Sequence, residues 1–428
     1  MVTRKRAINS RSSDLGNCEI LSSGHGGAKI QGNMSQEHIT FQDMSSMKNL
    51  RQAFAAAAMS MLATCLPAQT KPGVENPSLR INQIQVIGTH NSYHAGLLPG
   101  ISNQLQQKNP KAFASLDYVH GDLATQLDHG VRQIELDIFA DSQGGRYAHP
   151  VGPKLVAQAG LPPDPDPYAN GVMLKPGFKV MHVQDIDYAS NCQPFVACLQ
   201  IVRTWSLAHP EHVPIFILVE TKQDTPDDAQ VPWTKPEPFT VTTFDALDAE
   251  IRSVFAADEM IVPDQVRGGY STLDEAVHKG NWPSIEQARG KVIFLMDQAA
   301  VGSIYLEGHP ALRGRVLFTN AVPGHPDAAF VEENDGDAAT IAALVRQGYL
   351  VRTRSDSDTV EARTNDTRIR DKALSSGAQI VSTDYPQFEP AKWSGYFVAL
   401  PGKMPAQCNP VNGPVGCVNS MLEPTSPR

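Results

Sequence analysis

Residues 131–138 read Val131-Arg132-Gln133-Ile134-Glu135-Leu136-Asp137-Ile138. This is a short, β-branched run with two carboxylates two residues apart. Side chains alternate along a strand, so Glu135 and Asp137 share one face. Seven more short apolar runs follow the same style, at 84–87, 178–182, 213–219, 292–296, 316–318, 349–351 and 379–381. Such runs suit parallel strands buried on both faces. Helical stretches lie between several of them, at 194–208, 243–255, 338–347 and 366–376. Eight strands with intervening helices predict an α/β fold, a (β/α)8 TIM-type barrel in a single domain over residues 80–390. A doubly wound sheet is the competing fold, but no Gly-rich phosphate fingerprint follows the first strand. Two carboxylates turned toward the helices would be costly to bury, so the barrel reading sends Glu135 and Asp137 into the lumen.

Outward from the strands, two insertions at 152–175 and 223–240 are rich in Pro and Asp, and are expected to wall the cleft at the ends of the strands. Residues 391–428 read as a peripheral, Pro- and Gly-rich tail. At the other end, Lys48 and Arg51 precede an apolar run at 53–66 and then small residues, the pattern of an export signal over 47–68. Residues 1–46 then read as an over-long start or disordered leader, with Met47 or Met44 as the initiator. A buried Ala-rich helix is the alternative. Cys65 sits in a lipoprotein-like box, although Thr64 before it argues against lipidation. The expected location is secreted or periplasmic.

Beyond residue 68 there are 29 Lys and Arg against 41 Asp and Glu, a net charge of −12. That excess argues against nucleic acid as a partner. No stretch is long enough to span a bilayer. Four cysteines remain, and their close spacing in an exported chain reads as two short-loop disulfides, Cys192–Cys198 and Cys408–Cys417.

Polar groups cluster where the first four runs stop. The first ends in His90-Asn91-Ser92-Tyr93-His94, the second holds Glu135 and Asp137, the third ends in His182, and the fourth in Glu220-Thr221-Lys222. Three carboxylates in one lumen repel one another unless a cation neutralises them. No arginine falls among these four strand ends, and Arg132 lies on the opposite face from Glu135. A hard cation with oxygen ligands is therefore expected, with Asn91 as a fourth oxygen. His90 and His182 suit acid/base work or stabilisation of a phosphoryl transition state. His94 and His149 are expected to be structural or on the rim. Ser92 lacks the surroundings of a nucleophile.

The segments GTHNSYH (88–94), ELDIFAD (135–141), FKVMHVQDIDYASNC (178–192), ILVETK (217–222) and VRTRSDSDTVEARTNDTRIRDKALSSGAQIVSTDYP (351–386) resemble the phosphatidylinositol-specific phospholipase C superfamily, in its calcium-dependent bacterial branch. The resemblance implies a distorted TIM barrel that cleaves inositol phospholipids with Ca²⁺ at a membrane or micelle surface, as a monomer. It assigns His90 and His182 as catalytic, and Asn91, Glu135, Asp137 and Glu220 as metal ligands. It implies attack by the inositol 2-hydroxyl to give diacylglycerol and inositol 1,2-cyclic phosphate, with Glu135 or Glu220 as base. Lys222, Asp297, Arg354 and Tyr385 are expected to contact substrate. Eukaryotic members carry two lysines on the fifth barrel strand, where alignment puts Leu295 and Asp297. Two other functions remain open: a glycerophosphodiester phosphodiesterase on the same barrel, and a catalytically silent lipid-binding barrel.

Overall fold

The computed structural model describes residues 79–227, 231–335 and 337–423. The export-signal reading over 47–68 and Cys65 lie outside them. Ten strands occur among the described residues: β1 Ile84–Thr89, β2 Gln133–Phe139, β3 Lys179–Val180, β4 Ile215–Thr221, β5 Met260–Ile261, β6 Val292–Met296, β7 Phe330–Glu332, β8 Leu350–Arg354, β9 Ile380–Thr383 and β10 Ala406–Cys408. β2, β1, β9, β8 and β7 run in parallel order on one side, and β2, β4 and β6 on the other. Residues 316–320 join the two ends through single parallel bridges, Leu295 to Phe318 and Asn320 to Phe330. The result is a distorted TIM barrel, weakest where it closes between β6 and β7.

The strand inventory differs from the sequence reading at two places. The run at 178–182 is not a barrel strand, because β3 pairs antiparallel with β2, Val180 opposite Ile138. Its place in the count of eight is taken by β7, a three-residue strand not predicted from the sequence. The run at 292–296 is consequently fourth around the barrel, not fifth.

Alternation along β2 sorts the residues as expected. Ile134, Leu136 and Ile138 join the core cluster that holds Phe195, Leu199 and Val202 of the helix Phe195–Ala208. The buried residues Phe195, Cys198, Leu199, Val202 and Trp205 repeat at three- and four-residue spacing, which gives that helix one apolar stripe. The helices Val241–Val254, Ala338–Gln347 and Arg368–Ser375 fall within two residues of their predicted bounds. Gly88 has a specific reason to be glycine. It is paired with Gln133, and a Cβ there would lie 1.8 Å from Gln133 Oε1.

Residues 391–423 do more than trail the barrel. β10 pairs antiparallel with the start of β1, and Glu423 is buried against Arg132, accepting from its Nε at 2.9 Å and from the Val213 N–H at 3.0 Å. Arg132 also lies over Trp205, on the helix side as its spacing from Glu135 requires. Both short-loop disulfides are formed. Glu423→Ala leaves Arg132 buried and unpaired, so unfolding free energy is expected to fall by about 3–5 kcal/mol. Chemical denaturation measures this, and a loss below about 1 kcal/mol would remove the tail's structural role.

Candidate active site

The loops that follow the strands are tied around the predicted residues. The Asp185 carbonyl accepts from the Gly152 N–H at 2.8 Å and its carboxylate from Thr234 Oγ1 at 2.9 Å, and Gln184 donates to the Asp224 carbonyl at 3.0 Å. Both insertions are thereby fastened to the segment that carries His182.

Asp137 and Glu220 are register partners on β2 and β4. With Glu135 they each offer an oxygen within 4.8 Å of the others. Oxygens on one Ca²⁺ are at most about 5 Å apart, given Ca–O distances of about 2.3–2.6 Å. Asp137 is fully buried; its Oδ1 has no partner, and its Oδ2 has only the Lys222 ammonium, 3.2 Å away. Donor type, spacing and the unpartnered Asp137 Oδ1 all fit a hard cation. Asn91 sits beside His90 in a left-handed conformation (φ 47°), its Nδ2 donating to Tyr118 Oη at 2.7 Å and its Oδ1 accepting from Tyr93 at 3.4 Å.

The expectation that no protein cation reaches this cluster is overturned. Lys222 Nζ lies 2.9 Å from Glu220 Oε1 and 3.2 Å from Asp137 Oδ2. Arg352, on β8, donates to Glu135 Oε2 at 2.7 Å, to Asn334 at 2.7 Å, and to Glu332. Asp297 and Glu332 enlarge the acidic group. Burial pushes Glu135 up to about 7 despite Arg352, with Asp297 and Glu220 adding to the rise. Burial and then Glu220 raise Asp137 well above the usual carboxylate range. Burial is likewise the main cause that raises Asp297 and Glu332. Glu220 goes the other way. Burial opposes its ionisation, but the Lys222 charge and hydrogen bond outweigh it and hold the group at about 2.

His90 donates from Nδ1 to Asp384 at 2.7 Å, while Nε2 accepts from Arg354 Nη1 at 3.2 Å and lies 3.6 Å from Glu135 Oε1. Burial, and then the Arg354 and Arg352 charges, hold this imidazole well below its ordinary pKa, hence neutral. His182 donates from Nδ1 to Asp187 at 2.8 Å. Its side chain is 20% exposed, so Nε2 is the nitrogen left for a ligand. Asp187 also accepts from His94 Nε2 at 2.9 Å. These two bonds occupy both Asp187 oxygens, so this trio is explained without a metal. His94 is wholly buried and structural, and His149 is exposed. Ser92 Oγ accepts the Glu135 N–H at 2.8 Å, a structural role too.

Two expected substrate contacts, Lys222 and Tyr385, are placed differently from their predicted positions. Lys222 is held on the carboxylates. Arg354 reaches both His90 and Asp384, the latter at 3.2 Å. Tyr385 is only 4% exposed and packs against Tyr396 and Trp393 outside the lumen, so it does not flank the cleft. Asp297 belongs to the acidic group.

The family model for calcium-dependent phosphoinositide phospholipase C matches residues 79–410. The chain belongs to that family. As a member of the calcium-dependent phosphoinositide phospholipases C, it is a phosphodiester-cleaving enzyme of the phospholipase C type. It is similar in structure to the calcium-dependent phosphoinositol-specific phospholipase C of a Gram-negative Pseudomonas sp., at 15% identity and TM-score 0.47, covering 77% of this chain and 95% of that one. The Streptomyces antibioticus calcium-dependent enzyme gives 21% and 0.40, over 72% and 95%. The Listeria monocytogenes phosphatidylinositol-specific enzyme gives 13% and 0.42, over 74% and 93%. No curated protein matches.

Within this family frame, sequence reasoning missed Lys222 as a partner of the carboxylates, and it missed Arg352, Asp187 and Asp384 altogether. Arg352 carried a usable signal. An arginine directly after the apolar run 349–351 raises the same burial question as Glu135 and Asp137 in β2.

Proposed function

We propose that this phospholipase C requires Ca²⁺ and cleaves phosphatidylinositol by intramolecular attack of the inositol 2-hydroxyl. The observation that carries this reading is the convergence of Glu135, Asp137 and Glu220, with Asp137 Oδ1 unpartnered, between His90 and His182. Glu135, Asp137, Glu220 and Asn91 are the ligands assigned to the metal. When bound there, Ca²⁺ supplies neutralisation of phosphate charge and a more acidic hydroxyl.

The remaining steps belong to side chains. Glu135 is the proton acceptor this geometry favours over Glu220. Its Oε1 faces His90 while Arg352 holds only Oε2. The 2-hydroxyl oxygen bonds to phosphorus as its proton passes to Glu135. Arg354 faces the negative charge that grows on phosphorus, and His90, oriented by Asp384, accepts from its guanidinium at Nε2 and so positions it. The bond from phosphorus to the glycerol oxygen breaks, and His182 gives that oxygen a proton, with Asp187 supporting the imidazole. Diacylglycerol and inositol 1,2-cyclic phosphate leave. The nucleophile is already tethered to the phosphate, which supplies much of the rate. Two disulfides support a secreted or periplasmic location.

Plain phosphatidylinositol is the expected substrate, in preference to its 4,5-bisphosphate. Asp297 stands among carboxylates where extra phosphates would be repelled, while free hydroxyls could donate to it. Repulsion on the order of 1–3 kcal/mol corresponds to roughly 5- to 100-fold in kcat/KM. A competition assay with both lipids at equal mole fraction in mixed micelles reads it, with the phosphorus product identified. Preference for the bisphosphate would overturn the role given to Asp297. Glycerol 3-phosphate released from deacylated glycerophosphoinositol would favour the glycerophosphodiesterase reading instead.

A further inference from the structure

Lys222 raises a question that the calcium assignment alone does not answer. The residue follows β4 by one position and lies two residues beyond Glu220, so its side chain returns along the same face of the extended chain. Its ammonium ends between two of the three carboxylates, 2.9 Å from Glu220 and 3.2 Å from Asp137. A Ca²⁺ held by those carboxylates and an ammonium held by the same carboxylates need overlapping space. They also neutralise the same charge. Arg352 is different, because it grips Glu135 from the opposite wall and is braced by Glu332 and Asn334. Lys222 has no such brace. Its only ion-pair partners among the described residues are Asp137 and Glu220, and its side chain is 21% exposed. A four-carbon stem with an exposed edge can swing out without unfolding anything.

Resting on the calcium reading above, we infer that Lys222 is a tethered competitor for the metal: it occupies the carboxylate site when Ca²⁺ is absent and must leave for Ca²⁺ to bind. Two consequences follow. The metal-free protein is spared a set of adjacent buried carboxylates with no counter-ion, so the barrel persists without metal. Metal affinity is lowered by the fraction of molecules in which Lys222 is already out. If that fraction is about 1–10%, the apparent dissociation constant is about 10- to 100-fold weaker than the site's own. The exchange also favours divalent over monovalent cations. Lys222 brings one positive charge to Asp137 and Glu220, and a divalent ion brings two to the same pair, a gain that a monovalent ion does not offer.

The test is direct binding, with no substrate and no turnover. Ca²⁺ is titrated by calorimetry, and Tb³⁺ by luminescence, into the wild-type protein and into Lys222→Met, which keeps the stem and removes the charge. Thermal melts in chelator and in Ca²⁺ accompany both. Wild type is expected to bind, and Lys222→Met to bind about 10- to 100-fold more tightly. The variant should also melt lower than wild type in chelator and gain more from Ca²⁺. Equal or weaker binding by a folded Lys222→Met, with wild type binding well, overturns the competitor role and leaves the calcium reading standing. Binding by the variant but not by wild type supports the competitor role and overturns the calcium requirement. Binding by neither overturns both. A folded Lys222→Arg should stay weak, because it keeps the charge; tightening there would contradict the inference.

Discussion

His182→Ala lowers kcat on phosphatidylinositol by roughly 10²–10⁴, the usual scale for loss of a general acid. The imidazole is anchored through Nδ1 on Asp187, which leaves Nε2 as the only nitrogen free to serve the departing glycerol oxygen. Both His94 and His182 donate to Asp187. Burial pushes that carboxyl up, but the two imidazoles outweigh burial and keep it below its ordinary pKa, so the anchor stays anionic. A diacylglycerol alkoxide cannot leave unprotonated at a useful rate, whereas a phenolate can. The same variant should therefore lose far less on an inositol phosphodiester with a good phenolic leaving group. Parallel kinetics on the two substrates decide the matter. Equal losses would remove the acid role and leave His182 as a binding or structural residue.

Asp137→Asn raises the Ca²⁺ concentration needed for half-maximal rate by at least about 100-fold. Loss of a residue behind a metal ligand already costs about 10- to 100-fold in affinity, and loss of a ligand should exceed that. Asp137 is the most diagnostic of the three carboxylates. Glu135 is partly satisfied by Arg352 and Glu220 by Lys222, whereas Asp137 is fully buried with Oδ1 unpartnered and only the longer Lys222 contact, 3.2 Å, on Oδ2. The asparagine is nearly isosteric and removes a buried charge, so folding should survive, which circular dichroism checks. An unchanged Ca²⁺ requirement in the folded variant would show that Asp137 does not touch the metal.

The parts of this site that were legible in the sequence are those in which one strand shows its own anomaly. Glu135 and Asp137 stand two apart in an apolar run; period-two alternation puts both on one face, and the cost of burying them against helices points that face to the lumen. The GTHNSYH segment likewise closes a run with polar groups. What was not legible depends on pairing across the fold. Asp384 meets His90 across 294 residues, and Arg352 meets Glu135 across 217. No spacing rule connects such positions. The Lys222 contact is local, but a lysine after a strand reads equally well as a rim cation aimed at substrate. Only the carboxylate geometry shows that it folds back. Strand direction was hidden for a similar reason. The run at 178–182 is as apolar as a barrel strand, yet only its partner determines that β3 is antiparallel. β7 is three residues long, runs directly into Glu332 and Glu333, and is held on one side by a single bridge, too little pattern to register. Tyr385 failed through depth: an aromatic after the last strand looks like rim, but the tail folds over it.

The most direct test of the account is a phosphorus NMR time course on phosphatidylinositol in mixed micelles, run with Ca²⁺ and repeated with excess EGTA. The account predicts a resonance of inositol 1,2-cyclic phosphate that appears with Ca²⁺, is absent in EGTA, and returns when Ca²⁺ is restored. Full turnover in EGTA, or release of a monoester with no cyclic intermediate at any time, would contradict it.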